Sequence, residues 1–170
     1  LDVNYSGTVW EISADGKTLI PPLTSIKGLG AKAIEQLFVG RPYKTVDEFL
    51  FHPEVTYSKL NKKSISALCL SQALNTLQDD RFSGMQHFYA AVAEDRPRKE
   101  KNLTENIETY QAEGDFSEEE KLEYLVNLTG VFPISSVITP KVRQRLDELC
   151  VPPISEFDPE LGVTYPSGMQ

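Results

Sequence analysis

The run Ser25-Ile26-Lys27-Gly28-Leu29-Gly30-Ala31-Lys32-Ala33-Ile34 constrains this chain more than any other stretch. Two glycines one residue apart follow an apolar position, and Ala33, Ile34 and Leu37 then recur at helical spacing. Glycine has no Cβ and reaches positive φ without strain, so Gly28 and Gly30 are both expected in a sharp reversal between two helices. Such a turn points backbone N–H groups without helical partners outward, at the positive end of the following helix dipole. Lys27 and Lys32 flank that point.

The pattern is that of a helix-hairpin-helix element, whose exposed amides suit a phosphate. Two other readings compete with it. A glycine-rich turn between helices needs no ligand at all. A dinucleotide-binding fingerprint needs a third glycine and a preceding strand within a βαβ unit, and here position 33 is alanine with no such unit around it.

At 170 residues the chain holds one sizeable core or two small ones. Its net charge of −8 argues at first against a nucleic-acid partner, but the charge is unevenly placed. Residues 1–90 carry nine basic and nine acidic side chains, whereas residues 91–170 carry eight against sixteen. The glycine turn therefore lies in a neutral half, where Lys59, Lys62 and Lys63 add a basic cluster. No apolar run approaches the roughly 18 residues of a membrane span, and no secretory pattern opens the chain. Cys69 and Cys150 stand far apart without His or Cys neighbours, so they read as thiols in a reducing, cytoplasmic setting rather than as a disulfide or metal site. The triplets beginning at Asn4, Asn102 and Asn127 are read as chance. Leu1 suggests a piece of something longer.

The elements expected are mainly helical. Residues 8–12 and 18–20 form a β-hairpin around Asp15-Gly16. Helices follow over 30–39, from a capping box at Thr45-Val46-Asp47-Glu48 through Leu50, and from Asn61 along Ile65, Leu68 and Cys69 towards Leu74 and Leu77. A second glycine hairpin, the usual companion of the first, is missing; Leu70-Ser71-Gln72-Ala73 stands in its place, so the second half of the pair is expected to be structural. A further helix carries Phe88, Tyr89 and Val92. The charged run 95–102 is expected as a linker between residues 1–94 and an acidic helical subdomain over 103–170. In that subdomain helices are expected over 104–112, from a capping box at Ser117 to Gly130, and from Thr139-Pro140 to Leu149, with an irregular tail over 155–170.

Taken in order, Asp2-Val3-Asn4-Tyr5-Ser6, the β-hairpin, Ile26-Lys27-Gly28-Leu29-Gly30, Arg41-Pro42-Tyr43-Lys44-Thr45-Val46-Asp47-Glu48-Phe49-Leu50 and Asn61-Lys62-Lys63 resemble one family. They are similar to the region between the fingers and the tandem helix-hairpin-helix of bacterial family C replicative DNA polymerases, over residues 1–80. Arg81-Phe82-Ser83-Gly84, His87-Phe88 and Leu128-Thr129-Gly130-Val131-Phe132-Pro133 look more like the bacteriophage branch. The resemblance implies that Lys27, Gly28, Leu29, Gly30 and Lys32 contact the backbone of primer-template duplex, with Lys62 and Lys63 in support. It also implies that the remainder of the polymerase is a partner, and that the catalytic carboxylates and their Mg²⁺ belong to a palm domain outside this region. At Gln72 the chain departs from the glycine usual in the family's second hairpin.

Within the sequence itself no catalytic centre emerges. Asp79-Asp80 is the one tempting carboxylate pair, but adjacent residues in a turn diverge. Residues 118–120 are acidic where a helix dipole favours acid. His52 and His87 are isolated, Phe82, Phe88 and Tyr89 fall at core spacing, and no phosphate loop or nucleophile elbow appears. No cofactor is expected in this segment. The favoured reading is a non-catalytic binder of duplex DNA; the other is a protein-interaction scaffold that keeps the fold without the nucleic acid.

Overall fold

The computed structural model describes residues 1–110, 114–133 and 140–149. The chain divides into two units, Leu1–Phe132 and Pro133–Gln170. Mainly helical architecture with a short N-terminal β-ribbon is what the sequence predicts and what the described residues form.

The ribbon pairs β1 (Glu11–Ile12) antiparallel to β2 (Leu19–Ile20), with Glu11 opposite Ile20 and Ile12 opposite Leu19. Gly16 takes φ 70° in the turn, and the Ser13 N–H donates to the Thr18 carbonyl at 2.8 Å. The strands are shorter than expected for a physical reason. Ile12 and Leu19 are exposed, so the ribbon has no buried face to extend its pairing.

Three helices build the first part of the core. Helix α1 (Ala31–Gly40) buries Ala33, Ile34 and Leu37 along one stripe. It ends as Arg41 turns to extended backbone ahead of Pro42, and Gly40 is glycine because a Cβ there would lie 2.6 Å from the Tyr43 ring. Helix α2 (Val46–Phe51) buries Val46, Phe49 and Leu50. The Thr45 hydroxyl accepts from the Glu48 N–H at 3.2 Å, while the Glu48 carboxylate reaches past Thr45 to accept from the Lys44 N–H at 2.7 Å. The reciprocal half of the capping box is thus displaced by one residue. Helix α3 (Lys62–Leu70) is capped by Asn61, whose Oδ1 accepts from the Ser64 N–H at 3.1 Å.

Helix α3 does not continue to Leu77. It ends at Leu70, and Gln72 takes φ 65°. The Ala73 N–H donates to the Leu68 carbonyl at 3.0 Å and the Gln72 N–H to the Cys69 carbonyl at 3.0 Å. This is the paired closure of a Schellman motif, with glutamine at the left-handed position. One 3-10 turn, Asn75–Leu77, follows.

Helix α4 (Met85–Tyr89) widens into a π-helical turn over Ala90–Glu94. Helix α5 (Glu100–Thr109) begins inside the stretch expected as a linker. Residues 95–102 belong to the first unit for a reason their charge conceals. Pro97 is buried, Leu103 is 1 % exposed in the common core, and the Asn106 amide donates to the Ala91 and Asp95 carbonyls. Helix α6 (Glu118–Thr129) opens on the full reciprocal box between Ser117 and Glu120 and closes on Gly130 at φ 69°.

In the second unit, α7 (Pro140–Glu148) carries an Arg145–Glu148 ion pair at 2.9 Å. Thr139, Cys150 and the tail expected over 155–170 lie outside the described residues.

Candidate nucleic-acid interface

The glycine turn is held from below by two buried side chains. Ile26 is 2 % exposed and Leu29 6 %, and the Leu29 N–H donates to the Ile26 carbonyl at 3.2 Å. Leu29 is therefore an anchor whose own amide is engaged. Between these two, Gly28 takes φ 90°, a region that L side chains rarely adopt. Gly30 differs from expectation: at φ −76° and ψ 159° it is extended and serves as the N-cap of α1. Only the first glycine supplies a left-handed turn; the second passes the chain into the helix.

The outcome is a row of open donors. Ala33 and Ile34 both donate to the Gly30 carbonyl, at 2.9 and 3.1 Å. The N–H groups of Gly28, Gly30, Ala31 and Lys32 have no acceptor among the described residues, and all four residues are exposed. With glycine at the N-cap, no side chain folds back over them. Four unpartnered, exposed amides at a helix start are the kind of donor set that suits an anion.

Lysines neighbour the turn. Lys27, Lys32, Lys62 and Lys63 are exposed, and none forms an ion pair among the described residues. The structure brings Lys63 to the turn: its Cε lies 3.5 Å from where a Cβ on Gly28 would stand. Lys62, its neighbour in the first turn of α3, lines a separate cleft with Tyr57 and Arg96. The Lys27 amide faces the other way and donates to the Leu128 carbonyl at 2.8 Å, so the end of α6 braces the turn from behind. That brace was not legible in the sequence, which marked only a helix ending at Gly130.

The remaining candidates have structural roles. Asp79 chelates Arg81, whose guanidinium also pairs with Asp47 of α2, and the hydrogen bond from Arg81 holds the Asp79 carboxyl below its ordinary range. His87 is buried; its Nε2 faces the Ile107 carbonyl at 3.0 Å and its Nδ1 the Ser83 N–H at 3.0 Å. With the proton on Nε2 both contacts are satisfied, and the ring locks α4 to α5. The His52 Nδ1 accepts from the Glu54 N–H at 3.3 Å. Phe82 and Phe88 stack edge to face at 4.8 Å in the core, and Tyr89 packs half-buried against it. Glu118 pairs with Lys121. Burial pushes the Cys69 thiol well up. Among the described residues no group of three or more His, Cys, Asp or Glu converges as a metal site, and no helix is long and apolar enough to cross a membrane.

This arrangement of exposed amides around a left-handed glycine meets a known pattern. Residues 1–84 match the family model of the helix-hairpin-helix motif. None of the curated proteins matches the chain. The helix-hairpin-helix motif is generally nucleic-acid binding, and the matched span holds the turn, α1, α2, α3 and all seven residues expected to contact DNA.

Proposed function

We propose that this chain grips the backbone of duplex DNA through its first hairpin, without reading sequence, as a segment of a family C replicative DNA polymerase whose catalysis lies elsewhere. The observation that carries this reading is the set of unpartnered amides at Gly28, Gly30, Ala31 and Lys32 around a glycine at φ 90°. The oxygens of one phosphate accept from these donors, and Lys27, Lys32 and Lys63 add charge without directional demands on any base. The order of motifs from Asp2 to Lys63 supports the polymerase parent. Mg²⁺ chemistry then belongs to the parent's palm, and the cytoplasm is where such a parent works.

Fluorescence anisotropy on a primer-template duplex tests the reading, at low and physiological salt. Each phosphate neutralised contributes a slope of about −0.9 to log K against log salt, so a small contact set gives a shallow but definite slope. Wild type is expected to bind at low salt, and a Lys27→Glu/Lys32→Glu variant with an unchanged circular dichroism spectrum is expected to lose that binding. Absence of binding by wild type at low salt assigns the chain to the scaffold reading. The observation favouring that second reading is the acidic α6, which carries Glu118, Glu119, Glu120 and Glu123 and is bonded to the hairpin at Lys27.

A further inference from the structure

The first turn of α3 has two sides. Lys63 lies against the hairpin, while Lys62 opens onto a cleft of about 790 Å³ between the end of α2, the Tyr57 turn and the chain from Glu94 to Arg98. That size is within the ordinary range for small-molecule sites, and far more than a bare phosphate fills.

The cleft is built around a fixed aromatic ring. The Tyr57 hydroxyl donates to the Phe49 carbonyl at 2.7 Å and accepts from the His52 N–H at 2.8 Å. Arg96 lies over the ring, 4.6 Å from its centroid, and donates from Nη1 to the Tyr57 carbonyl at 3.2 Å. The Arg96 Nε is buried without a partner among the described residues. Burial, and in smaller part the neighbouring Arg98, disfavour the charge on Arg96. Lys62 and Arg98 form no ion pair among the described residues. Three cations crowd an open cleft whose acidic members are engaged or peripheral: the Asp95 carboxylate accepts from the Tyr110 hydroxyl at 3.1 Å, and Glu94 is exposed at the rim. The cleft begins where the π-helical turn Ala90–Glu94 ends, and such turns are frequent at functional sites.

We propose that this cleft binds one nucleoside phosphate unit carrying an amino-bearing base. Lys62 and Arg98 take the phosphate, and the Tyr57–Arg96 stack provides a flat platform for the base. Glu94 accepts from the base's exocyclic amine, as carboxylates do towards such donors. The unit is either the 5′-phosphorylated end of an unpaired strand or a free nucleotide. The assignment does not depend on duplex binding at the hairpin.

Isothermal titration calorimetry of the full chain tests it, with dAMP, a 5′-phosphorylated oligodeoxyadenylate, the same oligomer lacking the phosphate, and inorganic phosphate. Binding of dAMP or of the phosphorylated oligomer is expected to weaken about tenfold or more in Lys62→Glu/Arg98→Glu and to stay within about twofold in Lys27→Glu/Lys32→Glu. Comparable affinity for dAMP and the phosphorylated oligomer identifies a free nucleotide as the ligand; tighter oligomer binding identifies a strand end. A shift of the Arg96 Nε–H resonance in the wild-type NMR spectrum on adding ligand reports occupancy without any substitution. The proposal is overturned if no nucleoside phosphate binds, if inorganic phosphate binds as tightly as dAMP, or if the two variants lose binding equally. Duplex anisotropy on the same variants separates failure here from failure at the hairpin.

Discussion

The two turns of this molecule, at 26–30 and 70–74, use the same left-handed device and put it to different ends. Gly28 at φ 90° and Gln72 at φ 65° each reverse the chain beside a helix end. At the first turn the freed amides have no acceptor among the described residues, and Lys27, Lys32 and Lys63 stand exposed beside them. At the second they are spent internally, on the Cys69 and Leu68 carbonyls. The Ala73 carbonyl accepts from the Val3 N–H at 2.8 Å, and Thr76 donates to Asp2 at 2.8 Å, so the N-terminal segment is tied down beside it. A positive φ makes a turn; the proposed phosphate contact needs, beyond that, open donors and cations with no ion pair among the described residues. The comparison separates the two.

Charge reversal breaks the comparison most strongly. Lys27→Glu/Lys32→Glu/Lys63→Glu is expected to weaken duplex binding at low salt by about a hundredfold or more and to flatten its salt slope. Gln72→Glu, the matching change at the second turn, is expected to leave affinity within about twofold. Anisotropy on both variants reads this directly.

Alkaline titration gives the next largest effect, on the helix the first turn feeds. Tyr43 is 2 % exposed and donates to the Leu37 carbonyl at 3.1 Å, and burial pushes its hydroxyl from 10.0 up to about 12. The neutral phenol is the form that the fold favours. Its contribution is therefore full below pH 10 and is lost as pH rises towards 12. About 2 kcal/mol of stability should vanish across that window, measured by denaturant midpoints. Tyr43→Phe is expected to remove that tyrosine's share of the dependence.

Backbone substitutions sharpen the contrast further, with opposite signs. Gly28→Ala forces a Cβ into φ 90° and is expected to cost about 1–2 kcal/mol. Gln72→Gly relieves the same strain and is expected to stabilise by about 1 kcal/mol. The smallest effect belongs to Gly30→Ala. Its φ of −76° is ordinary and nothing lies within 4 Å of a new Cβ, so stability should change by less than about 0.5 kcal/mol. A large loss at Gly30 would show that the second glycine is strained after all.

Much of this was legible from local patterns. The apolar stripe of α1, the Asn61 cap and the Ser117–Glu120 box are short-range features, and each forms where the residues predict. Positions fixed by tertiary contact were not legible. The spacing of Leu74 and Leu77 continues the helical period of α3, yet the Schellman closure at Gln72 ends the helix and buries both leucines from a new direction. Residues 95–102 read as a solvated linker because their charges are visible in sequence, while Arg96 stacking on Tyr57 and the burial of Pro97 are not. For the site, residue identity located the turn and its lysines. Which glycine bears the positive φ, which amides stay open, and that α6 braces Lys27 are properties of the folded chain.

The most direct measurement is a two-dimensional ¹⁵N–¹H titration of the labelled chain with a short duplex at low salt. The amide signals of Gly28, Gly30, Ala31 and Lys32 are expected to move first and farthest, while those of Gln72 and Ala73 stay in place. Equal movement at both turns, or movement confined to residues away from the first, would contradict the proposed phosphate contact.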